Sequence, residues 1–206
     1  MQVKLLTTPE FLGAMEYNAA YAMLTCHTNT NKLMGKARPY IERAIKAGHE
    51  SILEHITLTY EVNNLSRACL QELARHRHLS LSVESTRHTL KNKLISNNFV
   101  VVNYGPELKY TCGYQDISLS KEMIKLLKLS LDYDAYTNDE IKYYIPEFWP
   151  TNLVLTSNIR ELRHVVKLRT APAALKEFQE LARKFVEVVP SEFKYLLEDC
   201  VYKNEK

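Results

Sequence analysis

The chain has 206 residues, of which 46% are hydrophobic and 25% are charged, and its formal net charge is +3. This length supports one domain with a sizeable core, and the composition is that of an ordinary globular protein. So small a net charge gives no argument for binding nucleic acid or an anionic membrane. The start, MQVKLLTTPEF, lacks a basic stretch followed by an apolar run, so no secretory signal is expected. No run of about eighteen apolar residues occurs, so no membrane span is expected either.

The predicted elements of the first half mix strand and helix. Residues 2–6 read as a short strand, and residues 38–47 have the apolar spacing of an amphipathic helix. Residues 56–62 alternate apolar and polar side chains, as a half-buried strand does. Asn64 is a residue type that caps helices, so a helix is predicted over residues 65–77.

The second half continues this mixture. Its predicted elements are strands over residues 97–103 and 151–157, helices over residues 120–136, 158–168 and 173–188, and a closing segment over residues 191–197. Helices and strands without regular βαβ alternation indicate an α+β fold, a mixed sheet with flanking helices. We expect a single domain over residues 1–206.

Cysteine and glycine are sparse and scattered. The four cysteines, Cys26, Cys69, Cys112 and Cys200, form no CxxC pair, which indicates a reduced, cytoplasmic protein. None stands beside a histidine and a carboxylate, so no thiol nucleophile is predicted. No two of the five glycines are close enough for a GxGxxG or P-loop motif. Any bound nucleotide must therefore be held by side chains.

Basic and hydroxyl side chains crowd into RHRHLSLSVESTR, residues 75–87. Arginine binds phosphate through two donors at once, and serine adds donors at shorter range. Residue chemistry alone therefore leaves two interpretations open, a site for a multiply anionic ligand and a solvated basic helix end. A nucleic-acid-binding module using residues 75–93 is an alternative, although Glu72 and Glu84 lie within the cluster.

Two other polar groups have ordinary structural interpretations. His49 and His55 bracket HESILEH but stand six residues apart, whereas the HExxH zinc motif needs four, so no metal site is predicted. Asn158, Arg160 and His164 lie on one predicted helix, and their spacing alone indicates the basic face of an amphipathic helix.

Three blocks together resemble the flavin-dependent thymidylate synthases. Arg75-His76-Arg77, followed after seven residues by Ser85, matches the family's RHRx7S signature. The stretch from His49 to His55 resembles its upstream histidine block. The segments that resemble its C-terminal block are residues 142–146, 158–160 and 168–169. The resemblance spans about residues 48–180.

This resemblance implies reductive methylation of dUMP to dTMP. The carbon would come from 5,10-methylenetetrahydrofolate, and the hydride from FAD reduced by NADPH. The family resemblance also implies an α+β fold without a Rossmann motif, and a homotetramer whose active sites are built from several subunits. No nucleic-acid or membrane partner is expected. A flavoprotein oxidase without methyl transfer is an alternative.

The family pattern also assigns site residues. Arg169 is the implied catalytic residue, a cation held against the uracil N3/O4 region that favours the ionised, electron-rich ring. The implied dUMP contacts are Glu72, Arg75, Glu84, Ser85, Arg87, Lys142 and Arg169. The implied FAD contacts are Ser51, Arg75, His76, Arg77, Asn158, Arg160 and His164. No metal ligand is implied.

Four positions depart from the family pattern. This chain has His88 where the family often has Tyr, Lys142 where it has Arg, and Glu72 where it has Gln. It has Val83 where the family has Glu, and its own glutamate, Glu84, lies one residue later. Lysine keeps the charge of arginine but loses its two-pronged grip. Ser85, Arg87 and Arg169 all remain, so these departures are interpreted as variation within the family.

Overall fold

The fold is built on a four-stranded sheet. The structure, a computed structural model, describes residues 1–26, 31, 33, 35–96 and 136–203, with the backbone alone for residues 94–96. The strands of this part of the chain are β1 (Gln2–Leu5), β2 (Thr57–Ser66), β3 (Ser80–Val83) and β4 (Pro150–Asn158). They form one antiparallel sheet in the order β1-β2-β4-β3.

Two side-chain contacts fix the register of the central strands. The hydroxyls of Thr59 on β2 and Thr156 on β4 are 2.9 Å apart. Further along β2, the backbone N–H of Asn64 donates to the side-chain oxygen of Asn152 at 3.0 Å. Moving forward on β2 therefore means moving back on β4, as an antiparallel pair requires.

The helices complete an α+β architecture, which confirms the predicted fold class. In the described residues they are α1 (Pro9–Thr25), α2 (Arg38–Lys46), α3 (Arg67–Leu73), α4 (Thr86–Ser96), α5 (Asn138–Ile141), α6 (Ile159–Arg169) and α7 (Lys176–Glu187). Short 3₁₀ turns are formed by Glu50–His55, Lys142–Tyr144, Ser191–Leu196 and Glu198–Cys200. Among these helices, none is long and apolar enough to cross a membrane.

The chain divides into two compact units, and the division falls inside β2, β3 and β4. The first unit comprises Met1, Asn63–Glu72 and Ser82–Leu153. The second unit comprises Gln2–Val62, Leu73–Leu81 and Val154–Lys206. The single domain expected over residues 1–206 stays a prediction.

The core of the second unit is organised around an aromatic pair. Tyr60 on β2 is fully buried, and its ring centroid lies 4.8 Å from that of Phe185 on α7. The Tyr60 hydroxyl donates to the Phe185 carbonyl at 3.1 Å, so its polar end is satisfied inside the core. Burial raises the pKa of Tyr60, which keeps the hydroxyl protonated as a donor. This contact fixes α7 against the sheet.

The first unit has a smaller core of its own. Leu65, Leu90 and Ile141 have no exposed area, and Trp149 is 1% exposed. The backbone N–H of Arg67 donates to the Trp149 carbonyl at 3.1 Å. The start of α3 is thereby tied to the segment that precedes β4.

The structure corrects the predicted helix over residues 65–77. β2 continues to Ser66, and Asn64 lies inside it with a φ of 59°, a left-handed conformation that asparagine tolerates. The cap is instead Ser66, whose hydroxyl accepts the Cys69 backbone N–H at 3.0 Å. The helix ends at Leu73, so the RHR segment lies in the turn that follows it.

The other predicted elements have mixed outcomes. The strands over residues 2–6, 56–62 and 151–157 are confirmed, as are the helices over residues 38–47, 158–168 and 173–188 and the closing segment, with ends shifted by a few residues. The elements that were not predicted are α1, β3, α4 and α5. The strand over residues 97–103, the helix over residues 120–136 (except Tyr136) and Cys112 lie outside the described residues.

Candidate functional site

The predicted site residues fall in both units. In the first unit are Glu72, Glu84, Ser85, Arg87 and Lys142. In the second unit are Ser51, Arg75, His76, Arg77, Asn158, Arg160, His164 and Arg169. The second unit thus contains every residue implied in flavin binding, together with the implied catalytic arginine.

A direct hydrogen bond joins two of these residues in the second unit. Arg169, the last residue of α6, donates its Nε–H to Nε2 of His76 at 2.9 Å. His76 is only 8% exposed, so its ring is held in the protein interior. Its other nitrogen, Nδ1, lies 3.6 Å from a carboxylate oxygen of Glu161. Sequence positions 76 and 169 are therefore brought together by the fold.

An aromatic ring completes this cluster. The guanidinium carbon of Arg169 lies 4.7 Å from the ring centroid of Phe178 on α7, within cation–π range. Phe178 also meets the His76 ring edge-on, with centroids 5.8 Å apart. The ring of His164 lies 6.0 Å from that of His76. Sequence reasoning missed Phe178, because nothing in the helical apolar pattern of α7 separates it from its neighbours.

Helix α6 positions the polar residues that precede Arg169. Asn158 is its N-cap, with a side-chain oxygen that accepts the Glu161 backbone N–H at 2.9 Å. Arg160 pairs with Glu54 at 2.5 Å, and both side chains are about half exposed. Arg169 stands at the C-terminal end of the helix, where the macrodipole favours a cation.

A buried arginine ties α6 to two distant segments. Arg163 is 7% exposed at its side chain and bonds Glu50 at 2.9 Å through Nε. Its terminal nitrogens bond both carboxylate oxygens of Asp199 at 2.7 Å and the carbonyl of Leu196 at 2.8 Å. Burial opposes the charged form of Arg163, but the hydrogen bonds to Asp199 and Glu50 outweigh it and raise the arginine's pKa. Sequence reasoning missed this anchor.

A cavity of about 480 Å³ opens beside this anchor in the second unit. Its lining residues are Glu50, Arg163, His164, Lys167, Asp199, Cys200, Val201 and Tyr202. Burial, foremost, raises the pKa of the Cys200 thiol to about 11, so the thiolate is disfavoured. The cavity therefore offers no activated sulfur nucleophile.

The second unit also exposes donors suited to a dinucleotide. Ser51, Arg75, Arg77 and His164 all have exposed side chains. Guanidinium and hydroxyl donors bind phosphate oxygens, and the half-exposed Leu168 adds an apolar surface on α6. In chemistry, this donor set fits the pyrophosphate and ring system of FAD. The flavin contacts assigned from the sequence stay predictions.

In the first unit, Ser85 and Arg87 lie at the start of α4. The Ser85 carbonyl accepts the backbone N–H groups of His88 and Thr89, at 3.1 and 3.2 Å. Ser85 thus holds the N-cap position of an 11-residue helix, with an exposed side chain. A helix N-terminus beside a serine hydroxyl and an arginine suits a phosphate group.

Glu84, the residue before Ser85, is already engaged within the protein. Its carboxylate lies 2.7 Å from the Lys93 ammonium, and its Oε2 accepts from the Asn152 side chain at 2.8 Å. The Glu84 backbone N–H also donates to the Asn152 carbonyl at 2.8 Å. These contacts hold the loop that leads to Ser85. A direct Glu84 contact to dUMP stays a prediction.

The segment that carries Lys142 is attached to α4. The Asn138 side chain accepts the Lys91 backbone N–H at 3.0 Å and donates to the Arg87 carbonyl at 2.7 Å. Asp139 bonds the Arg87 guanidinium at 2.9 and 3.0 Å. The first unit thus brings Arg87 and the Lys142 segment together. Lys142 is exposed.

The remaining predictions concern Glu72 and metals. Glu72, on α3, is half-buried, and the neighbouring Gln71 donates to Glu147 at 2.8 Å. In the part of the chain that the structure describes, no three His, Cys, Asp or Glu side chains are grouped so that they could hold a metal ion.

Comparison with known proteins identifies the family. The family described as Thymidylate synthase complementing protein matches residues 10–193. The Campylobacter jejuni (strain RM1221) protein named flavin-dependent thymidylate synthase is 38% identical over 162 residues, which cover 77% of this chain and 78% of that protein. The protein of that name from Wolinella succinogenes is 36% identical over 183 residues, covering 86% and 90%.

A solved structure agrees with these relatives. The crystal structure of thymidylate synthase X from Helicobacter pylori, determined with FAD and dUMP, superposes with a TM-score of 0.81 at 30% identity. The match covers 98% of this chain and all of that one. The family match covers most of the chain, and the two relatives are more than 30% identical over more than two-thirds of it. The chain therefore belongs to the flavin-dependent thymidylate synthases.

Proposed function

We propose that this enzyme methylates dUMP to dTMP, with 5,10-methylenetetrahydrofolate as carbon donor and FAD reduced by NADPH as hydride source. Within the family, the observation that carries the proposal is the hydrogen bond between Arg169 and His76. It unites the residue implied in activating the pyrimidine with a residue implied in binding the flavin. Their side chains are thus in contact, although they stand 93 positions apart in the sequence.

The substrate phosphate would bind at the start of α4. Ser85 supplies a hydroxyl, Arg87 a guanidinium, and the first turn of the helix its backbone N–H groups. Lys142 adds a further exposed cation on the segment that Asn138 attaches to α4. Glu72, Arg75 and Glu84 complete the proposed set of dUMP contacts.

Arg169 would supply the activation of the uracil ring. C5 of neutral uracil is a poor nucleophile, and a cation at N3/O4 stabilises the ionised ring, in which C5 is electron-rich. Of the described cysteines, Cys69 is fully buried and the Cys200 thiol has a raised pKa of about 11. Neither of these two thiols is suited to adding to the ring as a thiolate.

The overall reaction is balanced by the proposed co-substrates. The methylene carbon bonds to C5, the C5 hydrogen leaves as a proton, and hydride reduces the methylene to a methyl group as tetrahydrofolate departs. FAD, when bound, supplies that hydride after accepting one from NADPH. The residues of the chain would bind and orient the FAD, with Ser51, Arg75 and Arg77 donating to its phosphate oxygens. The other proposed flavin contacts are His76, Asn158, Arg160 and His164.

Assembly and location complete the proposal. We infer a cytoplasmic homotetramer of single-domain subunits, with active sites shared between subunits. The outer surface of α1 supports assembly, because Phe11 is 68% exposed and Tyr17 and Tyr21 are nearly half exposed. The free cysteines of the described residues, Cys26, Cys69 and Cys200, are consistent with a reducing compartment.

The test is release of tritium from dUMP labelled at C5, with methylenetetrahydrofolate and NADPH, in the presence and absence of FAD. FAD-dependent release is expected for the wild type. Arg169→Ala should lower the rate about 10²-fold or more, by analogy with loss of one charge-stabilising donor. Arg43→Ala, which removes an exposed arginine from α2, is the control and should have no effect.

Other outcomes would point elsewhere. A yellow protein that releases no tritium would be a flavoprotein with a different substrate, such as an oxidase without methyl transfer. A colourless protein that binds DNA with steep salt dependence would be a nucleic-acid-binding module. The pairing of Lys93 with Glu84 argues against the latter, because it neutralises one cation of the 75–93 segment.

A further inference from the structure

We propose that Phe178 and His76 are positioning residues that hold the guanidinium of Arg169 in one orientation for the reaction. The inference rests on the proposed function and extends it to a residue, Phe178, that the sequence does not single out. Phe178 is fully buried and carries no polar atom, so its role would be exerted through Arg169. His76 would act in the same way, in addition to its proposed contact with the flavin.

The hydrogen bond defines how His76 acts. Arg169 donates its Nε–H, so His76 Nε2 must present a lone pair. A neutral imidazole has one proton, which is then on Nδ1, the nitrogen that faces Glu161 at 3.6 Å. Glu161 therefore favours the tautomer that can accept from Arg169. In this tautomer Nε2 is an acceptor, and its hydrogen bond holds the Nε–H of Arg169 in one direction.

Phe178 restrains the Arg169 guanidinium in a second way. The guanidinium carbon of Arg169 lies over the Phe178 ring, 4.7 Å from its centroid, and this contact restrains the position of the guanidinium and shields part of it from water. The two contacts hold the guanidinium from two directions, through its Nε–H and through the Phe178 ring. Arginine binds planar acceptors such as uracil through the two-pronged edge of its guanidinium. An edge oriented in advance lowers the entropy cost of reaching the transition state.

The first test compares two phenylalanines of α7. Phe178→Leu removes the ring beside Arg169, and Phe185→Leu is the matched control, because Phe185 is equally buried but packs on Tyr60. The assay is single-turnover formation of dTMP by enzyme reduced with dithionite, which bypasses NADPH. Phe178→Leu should lower this rate about fivefold to thirtyfold, the range expected for losing a largely desolvated cation–π contact.

Two further readouts separate positioning from general damage. In Phe178→Leu, the bound FAD measured by absorbance and the KM for dUMP should stay within about twofold of the wild type. The ultraviolet difference spectrum of bound dUMP should show less ionised uracil. Phe185→Leu should keep the wild-type single-turnover rate and spectrum even if its melting temperature falls. Equal rates for the two leucine variants would overturn the role of Phe178.

The second test applies even if a leucine variant at position 178 does not fold. His76→Gln can place a carbonyl oxygen near the former Nε2, whereas His76→Leu offers no acceptor. When samples of equal flavin content are compared, His76→Gln should retain several-fold more single-turnover activity than His76→Leu. Equal activity of the two would overturn the role of His76. A wild type that releases no tritium would refute the proposed function itself, whereas an active wild type with unaffected variants would refute only the positioning role.

Discussion

Replacing Arg163 by methionine should destabilise the second unit, because this buried arginine ties α6 to two distant segments. The side chain is 7% exposed and makes bonds to Glu50, Asp199 and the carbonyl of Leu196. Methionine keeps the length and apolar stem of arginine but removes every donor. The variant would remove the side-chain bonds that Arg163 makes from α6 to Glu50 and to the C-terminal segment.

The magnitude follows from what each partner loses. Removing one member of a buried ion pair costs ~3–5 kcal/mol when the other stays buried. Here Glu50 is 33% and Asp199 49% exposed, so both carboxylates can regain water. The buried Leu196 carbonyl loses its donor, which costs ~1–3 kcal/mol. Counting the half-exposed pairs at ~1 kcal/mol and adding the carbonyl places the loss at ~2–4 kcal/mol, or a melting temperature lower by ~5–15 °C for a chain of this size.

The assay is thermal and urea unfolding of the FAD-loaded protein at fixed concentration, since ligand and assembly both shift apparent stability. Lys167→Met is the matched control, because Lys167 lies on the same helix and lines the same cavity but is exposed. It should change the free energy of unfolding by less than ~0.5 kcal/mol. A loss below ~1 kcal/mol for Arg163→Met would refute the reasoning, because the network would then contribute no more than a surface pair.

Two further predictions concern carboxylates. Burial alone would raise the pKa of Asp199, but its bonds to Arg163 outweigh burial and leave the pKa below the ordinary 3.8. The stability that Asp199 contributes to the folded protein is therefore complete above about pH 3.8, and it is lost as the pH falls through the lower pKa of the folded state. The stability difference between wild type and Asp199→Asn should shrink below about pH 4, and a difference independent of pH would contradict this. Asp139→Asn frees the exposed Arg87 for the substrate phosphate, so the KM for dUMP should fall about twofold to tenfold with a stability change below ~1 kcal/mol. A KM that rises would mean that Asp139 orients Arg87 instead.

Local sequence patterns were sufficient wherever a structure depends on near neighbours. Helix α6 was predicted because its apolar residues recur at helical spacing, and the structure shows that Asn158, placed inside the predicted helix, is its N-cap. Asn64 shows the limit of such patterns. Asparagine suits both a helix cap and a left-handed residue, and Ser66, two residues later, is the one that caps α3.

Helix α1 escaped prediction for a different reason. Its apolar residues occur on all sides, so no single face stands out in the sequence. The signals that were available are Thr8, whose side chain accepts the Phe11 backbone N–H, and Pro9 at the first helical position. Both are typical of a helix start.

The contacts that organise the site could not be predicted, because their partners are distant in the chain. Arg163 and Glu50 stand 113 positions apart, and Arg169 and His76 stand 93 positions apart. Family resemblance names such residues one by one, but only the fold shows which of them touch. Phe178 had neither a motif nor a charge to mark it, and its proximity to Arg169 is purely a matter of packing.

Helix α6 acts as a rigid spacer between its N-cap, Asn158, and its last residue, Arg169. Asn158 caps its start and Arg169 ends it after 11 residues, a length of about 16 Å at 1.5 Å per residue. Each residue inserted or deleted between them would turn Arg169 by about 100° around the helix axis and move it about 1.5 Å along it. Point substitutions on the exposed side of this helix should therefore be far better tolerated than any change in its length.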